Sequence, residues 1–402
     1  MPKHHFIIVN SCFKQLRVFT GIIIACLILT ACSKDDPAPP EKVDQTVFMY
    51  LPWSINLTGA FYDNISAFKT AIKKGILSNE RVIVFISTSA TEATMFELVY
   101  KNGDCVEKQL KSYTNPPFTT AAGITSILND VQYYAPASRY GMIIGCHGLG
   151  WLPADGVYTR SAGEKYHWEI EGVPLTRFFG AGFTAPEYNT DITTLAKGII
   201  NAGLKMEYIL FDDCYLSTVE VAYDLKEAAN YLIACPTEIM AVGMPYDKIA
   251  EYLVGNVDYK SISETFYDFF KNYSTPCGTI AVTKCSELDN LATIMKEINN
   301  QFTFDTSILS SVQRMDGYSP VIFFDYGDYV TKLCTDASLL ARFEAQLERA
   351  VPSAYKKHTE YYYSMGSGRI KINTYSGTTI SDPSQHSWTI QKTETAWYKA
   401  TH

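Results

Sequence analysis

Short apolar runs alternate along the chain with segments whose apolar residues recur every three or four positions. The runs QTVFMYLPW, RVIVFIST (81–88), YGMIIGCH, MEYILFDDC (206–214) and YLIACPTE are near-continuously hydrophobic, the pattern of strands buried on both faces of a parallel sheet. Between them, DNISAFKTAIKKGIL places Ile65, Phe68, Ile72 and Leu77 near one helical face. TAAGITSILNDVQYY, DITTLAKGIINAG with its glycine stop, and STVEVAYDLKEAA with Ser217 as N-cap are further helices. TMFELVYKNGDCVEKQL predicts a hairpin turning at Asn102 and Gly103. Strand-helix alternation of this kind predicts an α/β sandwich on a mostly parallel sheet.

Both ends of the chain depart from this rhythm. Toward the C-terminus, SISETFYDFFKNY, LDNLATIMKEINNQF and ASLLARFEAQLERAV have helical apolar faces, GTIAVTKCSE is a strand, and RIKINTYSGTTI is β-branched and strand-like. These predict C-terminal helices and a small β tail packed on the same core, with 336–402 as an extension. At the N-terminus, Lys3, Lys14 and Arg17 precede the uncharged stretch VFTGIIIACLILTA, too short to span a bilayer comfortably and suited to a signal-peptide core. It ends in LTAC, which resembles a bacterial lipobox. That implies a signal peptide over 1–31, acylation of Cys32, and a membrane anchor through that lipid. An ordinary signal peptide cut nearby is the alternative. The polar, proline-containing SKDDPAPPEKVD makes 32–44 a flexible tether. Acidic residues just after Cys32 resemble the export signal of surface lipoproteins in Bacteroidetes-type bacteria, which implies the outer membrane or cell surface.

Composition narrows the partners. The 402 residues are 47% hydrophobic and 13% aromatic with a net charge of −8, and 42 acidic residues outnumber 34 basic ones. With no long basic run, nucleic acid is not an expected partner. Of the 10 cysteines, Cys12 and Cys26 fall in the signal segment and Cys32 at the lipid site. The rest are odd in number and contain no CxxC pair, which argues against structural zinc and leaves at least one thiol outside any disulfide. Most sit in apolar stretches such as LIACP, AVTKCSE and TKLC, as small buried hydrophobes do.

The stretch GMIIGCHGLGW (141–151) carries the chemistry. His147 stands at a strand end with two glycines in the next three residues. Strand 206–214 likewise ends in a reactive residue, Cys214, directly before a predicted helix. In parallel sheets functional groups collect at the carboxyl ends of strands. A thiol at a helix N-terminus is acidified by the macrodipole, whereas Asp212 and Asp213 oppose that effect. The glycines allow close backbone approach to a substrate carbonyl, and the amides of Gly148 and Cys214 are candidate oxyanion donors. Nucleophile, proton donor and amide donors are thus all present. The alternative is a satisfied strand-end histidine and a buried thiol.

HGLGW together with DDCYLSTVEVAYDLKEAANYLIACPTE resembles the clostripain family of cysteine peptidases over residues 45–335. Asp212, Asp213 and Cys214 fill the family's Asp-x-Cys. Val219, Glu220, Val221, Ala222 and Tyr223 fill its following helix, and Pro236, Thr237 and Glu238 its next strand end. DITTLAKGI and FFDYGDYV (323–330) match flanking segments. The resemblance implies a caspase-like α/β/α sandwich and hydrolysis of peptide bonds, with Cys214 as nucleophile, His147 as proton donor to the leaving amine, and no third orienting residue required. It further implies a basic residue on the amino side of the cleaved bond (P1), with Asp212 in the pocket that receives it. The sequence departs from the family where specificity is set: IMAVGMPYDKI stands in place of a PGYGWDY-like segment, Pro245 replaces its aspartate, and Gly243 and Tyr246 still match. Asp213 replaces a small residue and is expected as a solvated strand-end carboxylate.

The family also implies self-cleavage in the loop at 155–180, where TRSAGEK with Arg160 and Lys165, and Arg177 beyond it, offer basic sites; an unprocessed surface loop is the alternative. His167 is expected as a surface aromatic, and His358 and His386 lack motif partners. No cofactor or metal is expected; some relatives depend on calcium, but without an EF-hand pattern no residues are assigned to it. A second function class fits the same chain: a catalytically silent surface lipoprotein that uses the scaffold to bind peptide or glycan, a role suited to its many Tyr and Trp residues.

Overall fold

The computed structural model describes residues 40–54, 56–154 and 188–402. Its first strand, β1 (Val43–Leu51), lies between β2 (Glu80–Ser87) and β5 (Ala137–Ile144), parallel to both. Beyond β5 come β6 (Met206–Phe211) and β7 (Ala229–Ala234), again parallel. The hairpin β3 (Glu92–Lys101) and β4 (Asp104–Thr114) closes one edge antiparallel, through Asn102 and Gly103 at φ 54° and 83°. Both positive φ values are those a two-residue type I′ turn requires. At the other edge β8 (Thr279–Lys284) runs antiparallel to β7, and β10 (Lys356–His358) antiparallel to β8. The resulting order is β10-β8-β7-β6-β5-β1-β2-β3-β4.

Within the parallel core the chain moves one way from β1 to β2 and the other way from β5 to β7. Right-handed crossovers then send the helices to opposite faces. Helix α1 (Thr58–Lys73) packs with α5 (Tyr246–Leu253), which meets α6 (Tyr259–Lys271). Helices α2 (Ala121–Tyr134), α3 (Ile192–Asn201) and α4 (Val219–Leu225) form a second packed row. The expected α/β/α sandwich with a mostly parallel sheet is the observed architecture. Its core strands are almost fully buried: Val82 through Phe85 and Tyr208 through Leu210 have no exposed surface.

Helices α7 (Leu288–Asn299), α8 (Tyr326–Leu333), α9 (Ala337–Ala350) and α10 (Ala396–Thr401) pack onto this core, the last against α4 and α7. The tail is more deeply embedded than its composition suggests. Besides supplying β10, it forms the hairpin β11 (Tyr361–Ser364) and β12 (Gly368–Lys371), and β13 (Thr379–Ile380) pairs with β9 (Phe324–Asp325). Thr379 also bridges Thr218, its N–H donating to the Ser217 carbonyl at 2.9 Å, while the Ser217 hydroxyl donates to the Gly377 carbonyl at 2.8 Å. Ser217 therefore does not cap α4. Thr218 does, its hydroxyl accepting the Val221 N–H at 3.1 Å. Among the described residues no helix is long and apolar enough to cross a membrane. Cys32, His167 and the 155–180 loop, with Arg160, Lys165 and Arg177, lie outside the described residues.

Candidate active site

The ends of β1, β5 and β6 lie side by side where the strand order reverses, the position at which parallel sheets bind ligands. Backbone bonds fasten them: Gly145 N–H to the Tyr50 carbonyl at 3.2 Å, and Asp212 N–H to the Ile144 carbonyl at 2.8 Å. His147 follows β5 by the same number of residues as Cys214 follows β6, since Ile144 pairs with Phe211. The two strand ends are further joined by the Asp213 carboxylate, which accepts the N–H of Cys146. Asp213 is therefore buried, about 1% exposed, and not the solvated carboxylate its position suggests.

Gly148 is where the two loops touch. A Cβ there would lie 2.2 Å from the Cys214 carbonyl oxygen and 2.1 Å from Cδ2 of Leu216. Its space is taken by the cysteine loop, so glycine is needed to let two backbones meet. Past it, Trp151 donates its indole N–H to the Ser381 hydroxyl at 3.0 Å, and the N–H of Ser381 donates to the Glu220 carboxylate at 2.7 Å. The tail thus ties the histidine loop to the helix that follows the cysteine. The His147 ring is nearly buried, with Nε2 at 2.6 Å from Oδ1 of Asn56, in the loop after β1.

Cys214 is not at a helix start. Helix α4 begins only at Val219, and the chain first passes through Tyr215 at φ 61°, a left-handed conformation unusual for a bulky residue. The buried Tyr215 ring stacks on Phe323 at 5.1 Å and its hydroxyl donates to Oε1 of Glu238 at 2.7 Å. The same Glu238 oxygen accepts the Ser364 hydroxyl at 2.6 Å, and the carboxylate accepts the Met365 N–H. The thiol is turned toward Ile239, whose N–H donates to Sγ at 3.4 Å, with the Ile239 carbonyl at 3.9 Å. It has no exposed surface. Burial first, and the Glu238 charge second, push the Cys214 thiol well above its ordinary value. The helix dipole, which the sequence set against Asp212 and Asp213 without fixing the sign of the net shift, does not act on the thiol as a helix start would, because the helix begins only at Val219.

Asp212 is also buried, one oxygen accepting the Met244 N–H and the other the Tyr246 hydroxyl, each at 3.0 Å. A cavity of about 130 Å³ opens beside His147 between Trp53, Cys146, Leu149, Tyr188 and Leu195; it reaches Asp213, and Cys214 is not in its wall. Six of the seven described cysteines are buried, Cys146 is half-buried, and none of them is in a disulfide. Among the described residues no group of three or more His, Cys, Asp or Glu is placed to hold a metal ion. His358 packs on Tyr375, and His386 caps the turn at Trp388 through Nδ1.

A protein-family model of the clostripain family matches residues 177–372, the half that contains Cys214 and Glu238. Along the whole fold, the chain superposes on a secreted C11 cysteine protease of Bacteroides thetaiotaomicron, "iotapain", with TM-score 0.82 and 61% identity, covering 90% of this chain and 100% of that one. This chain belongs to the clostripain family. It is a cysteine-type peptidase. A clostripain of B. thetaiotaomicron ATCC 29148, in complex with the peptide inhibitor BTN-VLTK-AOMK, is 68% identical over 54% of this chain and 96% of its own, with TM-score 0.53. An inactive zymogen of a C11 protease from Parabacteroides distasonis is 26% identical with TM-score 0.73, over 90% of this chain and 99% of its own. No curated protein matches the chain.

Three features of the site escape the sequence pattern. Asn56 sits in WSINLTG, where an asparagine before a helix suggests only a cap; the signal was its place after the strand next to β5. Tyr215 gives no hint of its left-handed backbone. Glu238 fits the family pattern, but the hairpin residues that converge on it lie more than a hundred positions away.

Proposed function

We propose that this peptidase is an endopeptidase in which Cys214 attacks the scissile carbonyl and His147 carries the proton. The observation that supports it is the side-by-side seating of the β5 and β6 ends, with Gly148 packed on the Cys214 backbone. In this reading a bound peptide draws the thiol away from Ile239. The thiol proton passes to His147 as Sγ bonds to the carbonyl carbon, and the oxyanion is received by the amides of Gly148 and Cys214. The imidazolium then protonates the departing amine, leaving a thioester. Water attacks the thioester, giving up its proton through His147, and the acid product leaves with the thiol restored.

Asp212 is the candidate for recognising a basic P1 side chain. Each of its oxygens accepts a hydrogen bond, and a carboxylate offers about two acceptor sites per oxygen, so a basic P1 cation can be received as well. The Lys-ending inhibitor sequence bound by the B. thetaiotaomicron clostripain supports the same preference. The proposal extends to self-processing within 155–180, to a signal peptide over 1–31, and to lipid anchoring at Cys32 in the cell envelope. The 32–44 tether, the 45–335 peptidase domain and the 336–402 extension complete it. Calcium has no assigned residues.

The deciding experiment is turnover of a panel of peptides with Lys, Arg and neutral P1 residues by the wild type, Cys214→Ala, His147→Ala and Asp212→Asn. Both of the first two variants should fall to background. Asp212→Asn should lose about a hundredfold or more on Lys peptides, the scale of removing one partner from a buried charge pair. Full activity in Cys214→Ala would end the proposal.

A further inference from the structure

Three successive parallel strands, β1, β5 and β6, deliver Asn56, His147 and Cys214 to one rim of the sheet. We infer that Asn56 is a positioning residue that fixes the tautomer and ring plane of His147 for proton transfer. This rests on the reading of His147 as the proton carrier.

The argument is geometric. Nε2 of His147 lies 2.6 Å from Oδ1 of Asn56, a short, strong contact. An amide oxygen can only accept, so the ring must carry a proton on Nε2. The neutral ring then has its lone pair on Nδ1, and Nδ1 is the atom that exchanges protons with the thiol and the leaving amine. A histidine rotating freely would divide its population between two tautomers and many ring planes, and only one combination supports the transfer. Asn56 is well placed to hold it. It follows β1, whose Tyr50 carbonyl accepts the N–H of Gly145, and it precedes α1, whose first residue is Thr58. The titratable groups that share the cavity beside the ring are Cys146 on its own loop, Asp213 on the β6 end, and Tyr50, Tyr188 and Asp191. An amide adds orientation there without adding another charge.

The test uses full-length protein with 15N-labelled histidine, the His147 signal being assigned by its loss in His147→Gln. Wild type should show the Nε2–H tautomer; an Nδ1–H tautomer overturns the inference whatever the variants do. Asn56→Ala should populate both tautomers and lower kcat about tenfold or more, with KM within about twofold. Asn56→Asp sets a carboxylate against the ring, favours imidazolium, and should move the histidine limb of the kcat/KM profile up by about one pH unit. An unmoved limb in Asn56→Asp, or wild-type kcat in Asn56→Ala, overturns the inference. Loss of activity in Cys214→Ala alongside either result would leave the peptidase reading intact and isolate the failure to Asn56.

Discussion

Gly148 and Cys214 are in backbone contact: the carbonyl oxygen of Cys214 occupies the place that any side chain on Gly148 would need. Backbone cannot rotate away as a side chain can. Gly148→Ala should therefore push the two strand ends apart, costing about 1–3 kcal/mol of stability as overpacking does. Misplacing the reacting groups by about 1 Å should lower kcat/KM about a hundredfold. Thermal unfolding and steady-state kinetics on the same preparation check both. A near-native kcat/KM would show that the contact does not position the site.

Glu238 gathers three donors, the hydroxyls of Tyr215 and Ser364 and the Met365 N–H, from segments far apart in sequence. Glu238→Ala leaves all three without their acceptor in a buried place, with an expected loss of about 3 kcal/mol or more. Tyr215→Phe removes one donor and should cost about 1 kcal/mol. Urea unfolding of the two single variants and the double variant gives the coupling, expected to be well above zero because both act on one bond.

A pH effect should arise at Glu220. Burial first, and the neighbouring Asp382 charge second, push its carboxyl up to about 8 from an ordinary 4.5. The folded protein therefore favours the protonated acid. That contribution to stability is complete below about 4.5, where the unfolded chain is also protonated, and is lost as the pH rises toward 8. Glu220→Gln imitates the protonated form at every pH and can still accept the Ser381 N–H. The melting temperature of this variant relative to wild type should thus rise by a few degrees between pH 5 and pH 8.5. A difference that is flat with pH would contradict the assignment.

Thiol reactivity should follow accessibility rather than catalytic rank. Cys214 is buried and its thiolate is disfavoured, while Cys146 is half-buried on the wall of the cavity. Brief treatment with iodoacetamide in the absence of substrate should label Cys146 ahead of Cys214, as peptide mass mapping would reveal. A peptidyl ketone with Lys at P1 should reverse the order. Prompt labelling of Cys214 by iodoacetamide would mean the thiol is already exposed.

The strands, the hairpin and the strand-end positions of His147 and Cys214 were legible because each is written locally, in apolar runs, in Asn-Gly, and in strand-end motifs. What was illegible is carried by distance along the chain. Nothing near Asp213 says that its carboxylate accepts a backbone N–H from Cys146, 67 positions earlier. Ser217 looks like a cap because it precedes a helix, yet its hydroxyl bonds to Gly377 and the neighbouring Thr218 does the capping. The placement of Cys214 directly before a helix failed for a similarly concrete reason: the Tyr215 turn postpones the helix.

The latches on the segments around His147 and Cys214 come from the far end of the polypeptide: Ser364 on Glu238, Gly377 and Thr379 on Ser217, Ser381 on Trp151 and Glu220. A chain still emerging from the ribosome or crossing a membrane holds both His147 and Cys214 long before it holds any of these. All of these bonds can be in place only once synthesis has passed residue 381, so the loops around His147 and Cys214 gain their last fastenings at the end of the chain's production.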